Sequence, residues 1–446
     1  MTVENVKAIG AAFVDELELA GKAVVVGHDM RDSSEEFVAA FMEGATARGA
    51  DAINLGLCST DECYFASGHL DAAAAMFTAS HNPASYNGIK LSRAGARGIS
   101  MDTGLSNILA RAESYLKSGI EEVSEVGFTS EHDIMLEYAK YLRELVNLSS
   151  IRPLKIVIDA ANGMGGLTAP AVLGTAAGLP ELPVEIIPMY FELDGSFPNH
   201  EANPLDAKNL VDLQKAVLEY GADVGLAFDG DADRCFVIDE KGQAVTPSAV
   251  AAIVSLSEIA RAKANGNKDI VVLHNLLTSR AVAEFIEQAG AKPVRTRVGH
   301  SLIKDQMAAT GAIFGGEHSA HYYFKDFYGA DNGMLAAMQV LKELGSQSLP
   351  LSEFAARFDP YFASGEINST VADAKSKISQ IKAEYPNHPL DELDGITISS
   401  ADSESPWWWF NVRSSNTEPL LRLNVESSDE SVCKALTDKV LGIIRS

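Results

Sequence analysis

Four short polar stretches of this chain combine reactive residue types with spacings that packing alone does not require. In TASHNPASYNGIK (residues 78–90) an apolar run ends in Ser80, His81 and Asn82, a hydroxyl beside an imidazole, and Lys90 closes the stretch. Asn-Pro and Asn-Gly are also turn formers, so the stretch taken alone reads equally well as a turn. LAFDGDADR (226–234) sets Asp229, Asp231 and Asp233 on alternate residues. Like charges this close repel unless a cation lies among them, and hard carboxylate oxygens suit Mg²⁺ or Ca²⁺. A calcium EF-hand is excluded, because its sharp turn needs glycine at the sixth loop position, where Arg234 stands, and DVGLAF ahead of the loop reads as a strand. The carboxylates and the adjacent guanidinium suit a magnesium ion whose remaining ligand is a phosphoryl oxygen, with Arg234 pairing a second oxygen.

The third stretch, GGEHSAHYYF (315–324), offers Glu317 and Ser319 at i and i+2, able to point together at sugar hydroxyls, with His321 beside them. A plain β-turn fits it as well. The fourth, RSSNTEP (413–419), sets Arg413 with Ser414, Ser415, Asn416 and Thr417. A guanidinium fork with hydroxyl and backbone donors is what a phosphate monoester needs, although a hairpin loop with polar filler has the same composition. His300 and Lys304 in GHSLIK, and His28 to Arg31 at the end of the first apolar run, admit either a functional or a packing role. Trp407, Trp408 and Trp409, at strand spacing, read as part core and part edge rather than as a sugar platform.

The elements that must position these loops alternate strand and helix. AVVVGHD (23–29) reads as a strand, Ser33 and Glu36 form an S-x-x-E capping box for the next helix, and DAINLGL (51–57) is a second strand. The pattern restarts at Leu154 with KIVIDAANGMGG and at Asp269 with DIVVLHN, which predicts three α/β segments in tandem. After about Pro360 short strands such as GEINSTV, ITISS and LLRLNVE precede a last helix, an α+β layout. Boundaries near 148, 246 and 360 divide the chain into 1–148, 149–246, 247–360 and 361–446.

Its 446 residues are too many for one core, and 46% hydrophobic residues with 22% charged predict a chain folded nearly throughout. A formal charge of −25 argues against nucleic acid or an anionic membrane as partner, so an anionic substrate must meet a local basic pocket. No apolar stretch reaches the roughly 18 residues that span a bilayer, and the opening MTVENVKAIG lacks a signal pattern, so a cytoplasmic location is expected. Four cysteines without a CxxC pair (Cys58, Cys63, Cys235, Cys433) read as reduced thiols.

Taken together, the four stretches closely resemble the α-D-phosphohexomutase family, specifically its phosphomannomutase/phosphoglucomutase branch, in order and spacing and over essentially the whole chain. The resemblance implies four domains around a central cleft, three related α/β domains with mixed sheets and a smaller C-terminal α+β domain. It implies that Ser80 is the phosphorylated serine, that Asp229, Asp231 and Asp233 hold Mg²⁺ with a Ser80 phosphoryl oxygen completing the site, and that Arg234 contacts the phosphate. His81, Lys90 and His300 would line the transfer site. Glu317, Ser319 and His321 would recognise the sugar, and Arg413, Ser415, Asn416 and Thr417 would hold the phosphate not being transferred. The implied reaction interconverts hexose 1- and 6-phosphates through a 1,6-bisphosphate, which also serves as activator, with mannose first and glucose second among substrates because the HSAH variant of the sugar loop is similar to the branch that accepts both.

Two departures stand out. Family members usually begin with a stretch resembling Y-D-I-R-G, whereas this chain starts at MTVENVKAIG, which looks like the helix that follows; and no lysine stands near His274 and Leu277. A sugar phosphatase, with water as acceptor, and a non-catalytic sugar-phosphate sensor are the competing readings. The oligomeric state is not legible in the sequence.

Overall fold

The computed structural model describes residues 1–401, 403–415 and 420–446, without the side chains of His300 and Ser301. Its first three sheets repeat one plan. In the first, Ala23–His28 lies between two parallel neighbours, Asp51–Leu57 and Ala73–Phe77, and the latter turns back antiparallel into Ile89–Arg93. In the second, Leu154–Asp159 lies parallel between Val184–Met189 and Val224–Phe228, which returns as Cys235–Asp239. In the third, Val271–Asn275 lies parallel between Lys292–Thr296 and Phe314–Gly316, which returns as Tyr322–Phe324. The central strands are covered on both faces, so they are read from sequence as unbroken apolar runs; Val24, Val25 and Val26, like Ile156, Val157 and Ile158, are wholly buried.

This plan decides where the chemistry sits. The connection between the third strand and its antiparallel return is the Ser80 stretch in the first sheet, DGDADR in the second and GEHSAH in the third. Each connection contains a backbone turn, Asn82 N–H to the Ala79 carbonyl, Ala232 to Asp229 and Ala320 to Glu317. Each also contains a non-glycine residue in the left-handed region, namely Ser80 (φ 49°), Ala232 (φ 61°) and Ala320 (φ 65°). Such φ values are uncommon for residues with a Cβ, and they cluster where function overrides local preference.

The fourth sheet is antiparallel, ordered Phe362–Ala363, Leu420–Ser427, Trp408–Ser414, Ile396–Ser399 and Leu390–Asp391, with Ile367–Thr370 also on Leu420–Ser427. Helices Ala374–Glu384 and Glu430–Arg445 cover it around Ile381, Phe410, Leu421 and Val440. Trp408 and Trp409 are half-buried, and the Trp409 indole donates to Glu426 at 2.7 Å. All four cysteines are free and buried. Among the described residues no helix is long and apolar enough to cross a membrane.

One local expectation fails. Helix Ser34–Ala47 does follow Ser33, but Ser33 makes no side-chain cap bond; its hydroxyl instead accepts from Asn87 Nδ2 at 2.9 Å, so tertiary contact with the serine loop replaces the capping box. A capping box does form one helix later, where Ser59 and Glu62 open Thr60–His69.

Beside the second sheet a half-buried histidine pairs with a buried carboxylate and carries a pH signature. His200 Nε2 donates to Asp159 Oδ2 at 2.9 Å while Nδ1 donates to the Glu201 carbonyl. Burial opposes the charge, but Asp159 prevails and the imidazole titrates above its usual value. A histidine raised on folding contributes stability that is fully present below its unfolded pKa of about 6.5 and lost as pH rises through the folded value. His200→Asn should therefore destabilise by about 1 kcal/mol near pH 6 and by much less near pH 9, measured by urea unfolding at both. A pH-independent loss would mean that packing, not charge, is what His200 supplies.

Candidate active site

Ser80 sits at the crest of the first connection. Its Oγ donates to Asp229 Oδ2 at 2.9 Å, lies 3.3 Å from His81 Nδ1 and accepts from Arg234 Nη2 at 3.3 Å. The hydroxyl thus has a carboxylate for its proton and a guanidinium beside the oxygen that would carry charge. Arg234 is anchored in this corner, pairing Asp229 Oδ2 through Nε at 2.9 Å and Nη2 at 2.8 Å and donating to His81 Nδ1 at 2.5 Å. Burial and the Arg234 charge lower His81 to about 4, so its imidazole is neutral at physiological pH and accepts at Nδ1. The two connections touch so closely that a Cβ on Gly230 would lie 2.5 Å from the Ser80 carbonyl oxygen; the glycine of DGD is a condition of bringing serine and carboxylates together.

The three aspartates are fully buried, and one carboxylate oxygen from each lies within 4.8 Å of the others. Lys90 Nζ bridges Asp231 and Asp233 at 2.7 Å each, and Thr60 Oγ1 donates to Asp231 at 2.6 Å. Burial works against ionisation, yet Lys90 holds Asp231 below the usual carboxylate range; burial and the neighbouring Asp231 push Asp233 well above it. Asp231 Oδ1 and Asp233 Oδ1 are buried with no hydrogen-bond partner among the described residues. Buried orphan carboxylate oxygens are costly, and a hard cation is the group that satisfies several at once. The residues therefore fit a divalent metal site.

From the third connection, His321 lies 3.8 Å from Asp233 and 3.6 Å from Glu317, and Ser319 Oγ is 2.9 Å from His321 Nδ1. Glu317 is buried and accepts from Tyr323 at 2.8 Å; Ser319 is half-buried. Ser80, Lys90, Tyr64 and His321 line a cavity of about 330 Å³. On the fourth sheet Arg413 and Arg422 are directly opposed across two strands, and Glu366 bridges them at 2.9 Å to each. Ser415 holds the loop stem, its N–H on the Leu420 carbonyl. His318 of the third connection and Gly365, next to Glu366 in sequence, line one cavity. Asn416 and Thr417 lie outside the described residues, as does the His300 side chain; the His300 backbone opens helix His300–Thr310.

Sequence reading left Arg31 open between a functional and a packing role and passed over Thr78 and Thr60. Arg31 grips the serine loop, and Thr78 Oγ1 accepts from the Ser80 N–H at 2.8 Å. Thr60 binds Asp231 by side chain and by backbone N–H. Lys304, weighed only as ambiguous, is buried 3.1 Å from Asp331 with its ammonium over the Tyr64 ring. The S-T-D-E capping signal at 59–62 marks the helix start that carries Thr60, and is the one local cue among these.

Comparison with known proteins shows the family. Family models of phosphoglucomutase/phosphomannomutase match in series: α/β/α domain I over residues 1–117, α/β/α domain II over 136–242, α/β/α domain III over 247–361 and the C-terminal domain over 366–443. The chain is 39% identical over 445 residues to a protein of Xanthomonas campestris pv. campestris named phosphohexose mutases, and 38% identical over 445 residues to a phosphomannomutase of Salmonella montevideo; each alignment covers 98% of this chain and 94% of the relative. A phosphoglucomutase/phosphomannomutase family protein of Burkholderia thailandensis, solved by crystallography, superposes with a TM-score of 0.85 at 27% identity, covering 100% of this chain and 94% of that one. The three α/β/α domain models fall in order on the three repeated sheets and the C-terminal domain model on the fourth, and the chain belongs to the phosphoglucomutase/phosphomannomutase family of phosphohexomutases.

Proposed function

We propose that the chain carries a phosphoryl group on Ser80 and interconverts hexose 1-phosphate and hexose 6-phosphate, mannose phosphate being its first substrate and glucose phosphate its second. The observation that carries the reading is the Ser80 hydroxyl 2.9 Å from Asp229 and 3.3 Å from Arg234, at the edge of three buried carboxylates. When Ser80 accepts a phosphoryl group, the P–O bond to the donor oxygen breaks, the bond to Oγ forms, Oγ gives up its proton and the released sugar oxygen takes one up, so none is gained or lost; Asp229 orients the hydroxyl through its hydrogen bond. The reverse transfer to the free hydroxyl of a hexose phosphate yields the 1,6-bisphosphate, which returns its other phosphate to Ser80 after turning over in the cleft. Arg234 faces the phosphoryl oxygens, and His81, neutral, limits the positive charge at the serine.

Asp229, Asp231 and Asp233 would hold Mg²⁺, with an oxygen of the phosphorylated serine completing the set; bound there, it would offset charge on the transferring group. Lys90 spreads a fixed positive charge over Asp231 and Asp233. Glu317, Ser319 and His321 would engage the sugar. Arg413 and Ser415, with Asn416 and Thr417, would hold the phosphate not being transferred. Substrate phosphate then competes with Glu366 for Arg413. Glu366→Gln removes the competing charge, and KM for the hexose phosphate should fall about fivefold, equivalent to about 1 kcal/mol for a partly exposed ion pair, with little change in kcat. An unchanged or higher KM would show that Glu366 does not occupy the phosphate seat.

The relatives named phosphomannomutase support mannose as the leading sugar. The test is conversion of mannose 1-phosphate and glucose 1-phosphate to their 6-phosphates with Mg²⁺, with and without hexose 1,6-bisphosphate as activator. Bisphosphate-stimulated isomerisation is expected. Steady release of inorganic phosphate without isomerisation would make the chain a phosphatase, and binding without turnover a sensor.

A further inference from the structure

The Arg31 side chain is buried and every N–H of its guanidinium is committed to the protein. Nε donates to Asp29 Oδ2 at 3.1 Å. Nη1 donates to the carbonyls of Pro83 and Tyr86, both at 2.9 Å, and Nη2 to those of Ser80 at 2.9 Å and Asn82 at 2.7 Å. A guanidinium has five donors in a rigid plane, and here four of them converge on carbonyls of one loop while the fifth is anchored on the strand-end carboxylate. Asp29 is itself fixed, accepting from the Arg31 backbone N–H and from Ser34 Oγ, each at 3.1 Å. From the second sheet, the Phe197 ring lies 5.3 Å from the guanidinium, and a Cβ on Gly195 would approach the Arg31 Cα to 2.8 Å, so the slot is sealed on that side.

These contacts fall where the loop has most need of them. Ser80 is held at φ 49°, a conformation a serine does not keep unaided. Two bonds flank that residue, Arg31 on its carbonyl and Thr78 Oγ1 on its N–H. With no N–H left to offer, Arg31 has nothing to give a substrate phosphate, which separates it from Arg234, whose Nη2 touches Ser80 Oγ itself. Resting on the reading of Ser80 as the phosphoryl carrier, we infer that Arg31 is the positioning residue of phosphoryl transfer: its guanidinium clamps the loop carbonyls so that Ser80 keeps its left-handed backbone and its Oγ stays in line with Asp229 and Arg234.

Lysine has three donors around one nitrogen and cannot span four carbonyls and a carboxylate. Arg31→Lys should therefore slow single-turnover transfer from hexose 1,6-bisphosphate to Ser80 by about 100-fold, the scale for displacing a reacting group by about 1 Å. KM for the hexose phosphate should stay within about threefold, because uniform binding is untouched. Rates are taken per folded molecule, from the unfolding curve of each variant. Thr78→Val, which removes the acceptor of the Ser80 N–H, should give the same loss in kcat without loss in binding, and the double variant should lose less than the product of the two. Equal transfer rates in Arg31→Lys and the parent chain would overturn the inference, as would a rise in KM at constant kcat, which would make Arg31 a substrate contact, or a loss explained wholly by the unfolded fraction. If the parent chain itself takes no phosphate on Ser80, the reading of Ser80 fails instead, and mass analysis of the loaded parent tells the two failures apart.

Discussion

Ser80→Ala should abolish turnover, lowering kcat by at least about 10⁴-fold, the scale on which loss of a covalent nucleophile acts. The loss should be confined to chemistry. The loop is gripped through main-chain carbonyls by Arg31 and does not depend on the serine hydroxyl for its shape. Asp229 keeps two bonds from Arg234 when the hydroxyl is gone, so no buried charge is stranded. Affinity for hexose 1,6-bisphosphate, measured by calorimetry, should stay within a few-fold of the parent while the coupled assay reads nothing. Turnover near the parent rate in this variant would end the phosphoserine reading whatever else the site does.

The second large effect is expected at Asp231. Its Oδ2 takes Thr60 and Lys90, and its Oδ1 is buried without a hydrogen-bond partner among the described residues. Asp231→Asn keeps the shape and removes the charge, and one end of the amide must then point N–H groups at the Lys90 ammonium and the Thr60 hydroxyl or into the space between the carboxylates. The first orientation sets donor against donor at Lys90, the second turns N–H groups toward the metal, and both lose the negative charge that holds the cation. Turnover should fall by about 10³-fold, comparable to removing one electrostatic contact to a developing charge, and the Mg²⁺ concentration for half-maximal rate should rise at least about tenfold. Titrating activity against Mg²⁺ in both chains checks this. A variant with the parent's Mg²⁺ dependence would place the cation elsewhere.

How much was legible beforehand depended on whether a residue acts through its neighbours in sequence or across the fold. The carboxylates of DGDADR announce themselves because alternation at that spacing is repulsive in isolation, and the buried strand ahead of them is an apolar run, so element type and metal chemistry were both local. The serine loop was legible as a reactive stretch, and its likeness to a known family suggested the role proposed for it. Arg31 stayed open between a functional and a packing role, because the four carbonyls it grips stand about fifty residues away. Thr60, paired with Asp231 across more than a hundred residues, was hidden for the same reason. The capping box assigned to Ser33 failed because Asn87 competes for that hydroxyl, a contact no local pattern encodes. Glu366 was missed because a single glutamate in GEINSTV has no signature; only strand register, which sets Arg413 opposite Arg422, makes a bridging carboxylate necessary.

The fourth sheet has a mechanical consequence that follows from how it is attached. Its apolar core is its own, built around Ile381, Phe410, Leu421 and Val440. Toward the third sheet it offers polar and stacking contacts: Glu426 on the Arg280 N–H at 2.9 Å, Asp394 on the Val298 N–H at 3.1 Å, an Arg295–Asp391 ion pair, and the Arg280 guanidinium over Trp407. Water replaces hydrogen bonds of this kind at about 1 kcal/mol each, whereas peeling apart a shared core would expose apolar surface at about 25 cal/mol per Å². The three loops on hydrogen-bonded stems are the bed of a vice and the fourth sheet is its jaw, fastened to the third sheet by exchangeable contacts instead of a shared apolar core. In the mechanism proposed above a bisphosphate swaps ends between transfers, and a seam held by exchangeable polar contacts suits a jaw that slackens without letting go.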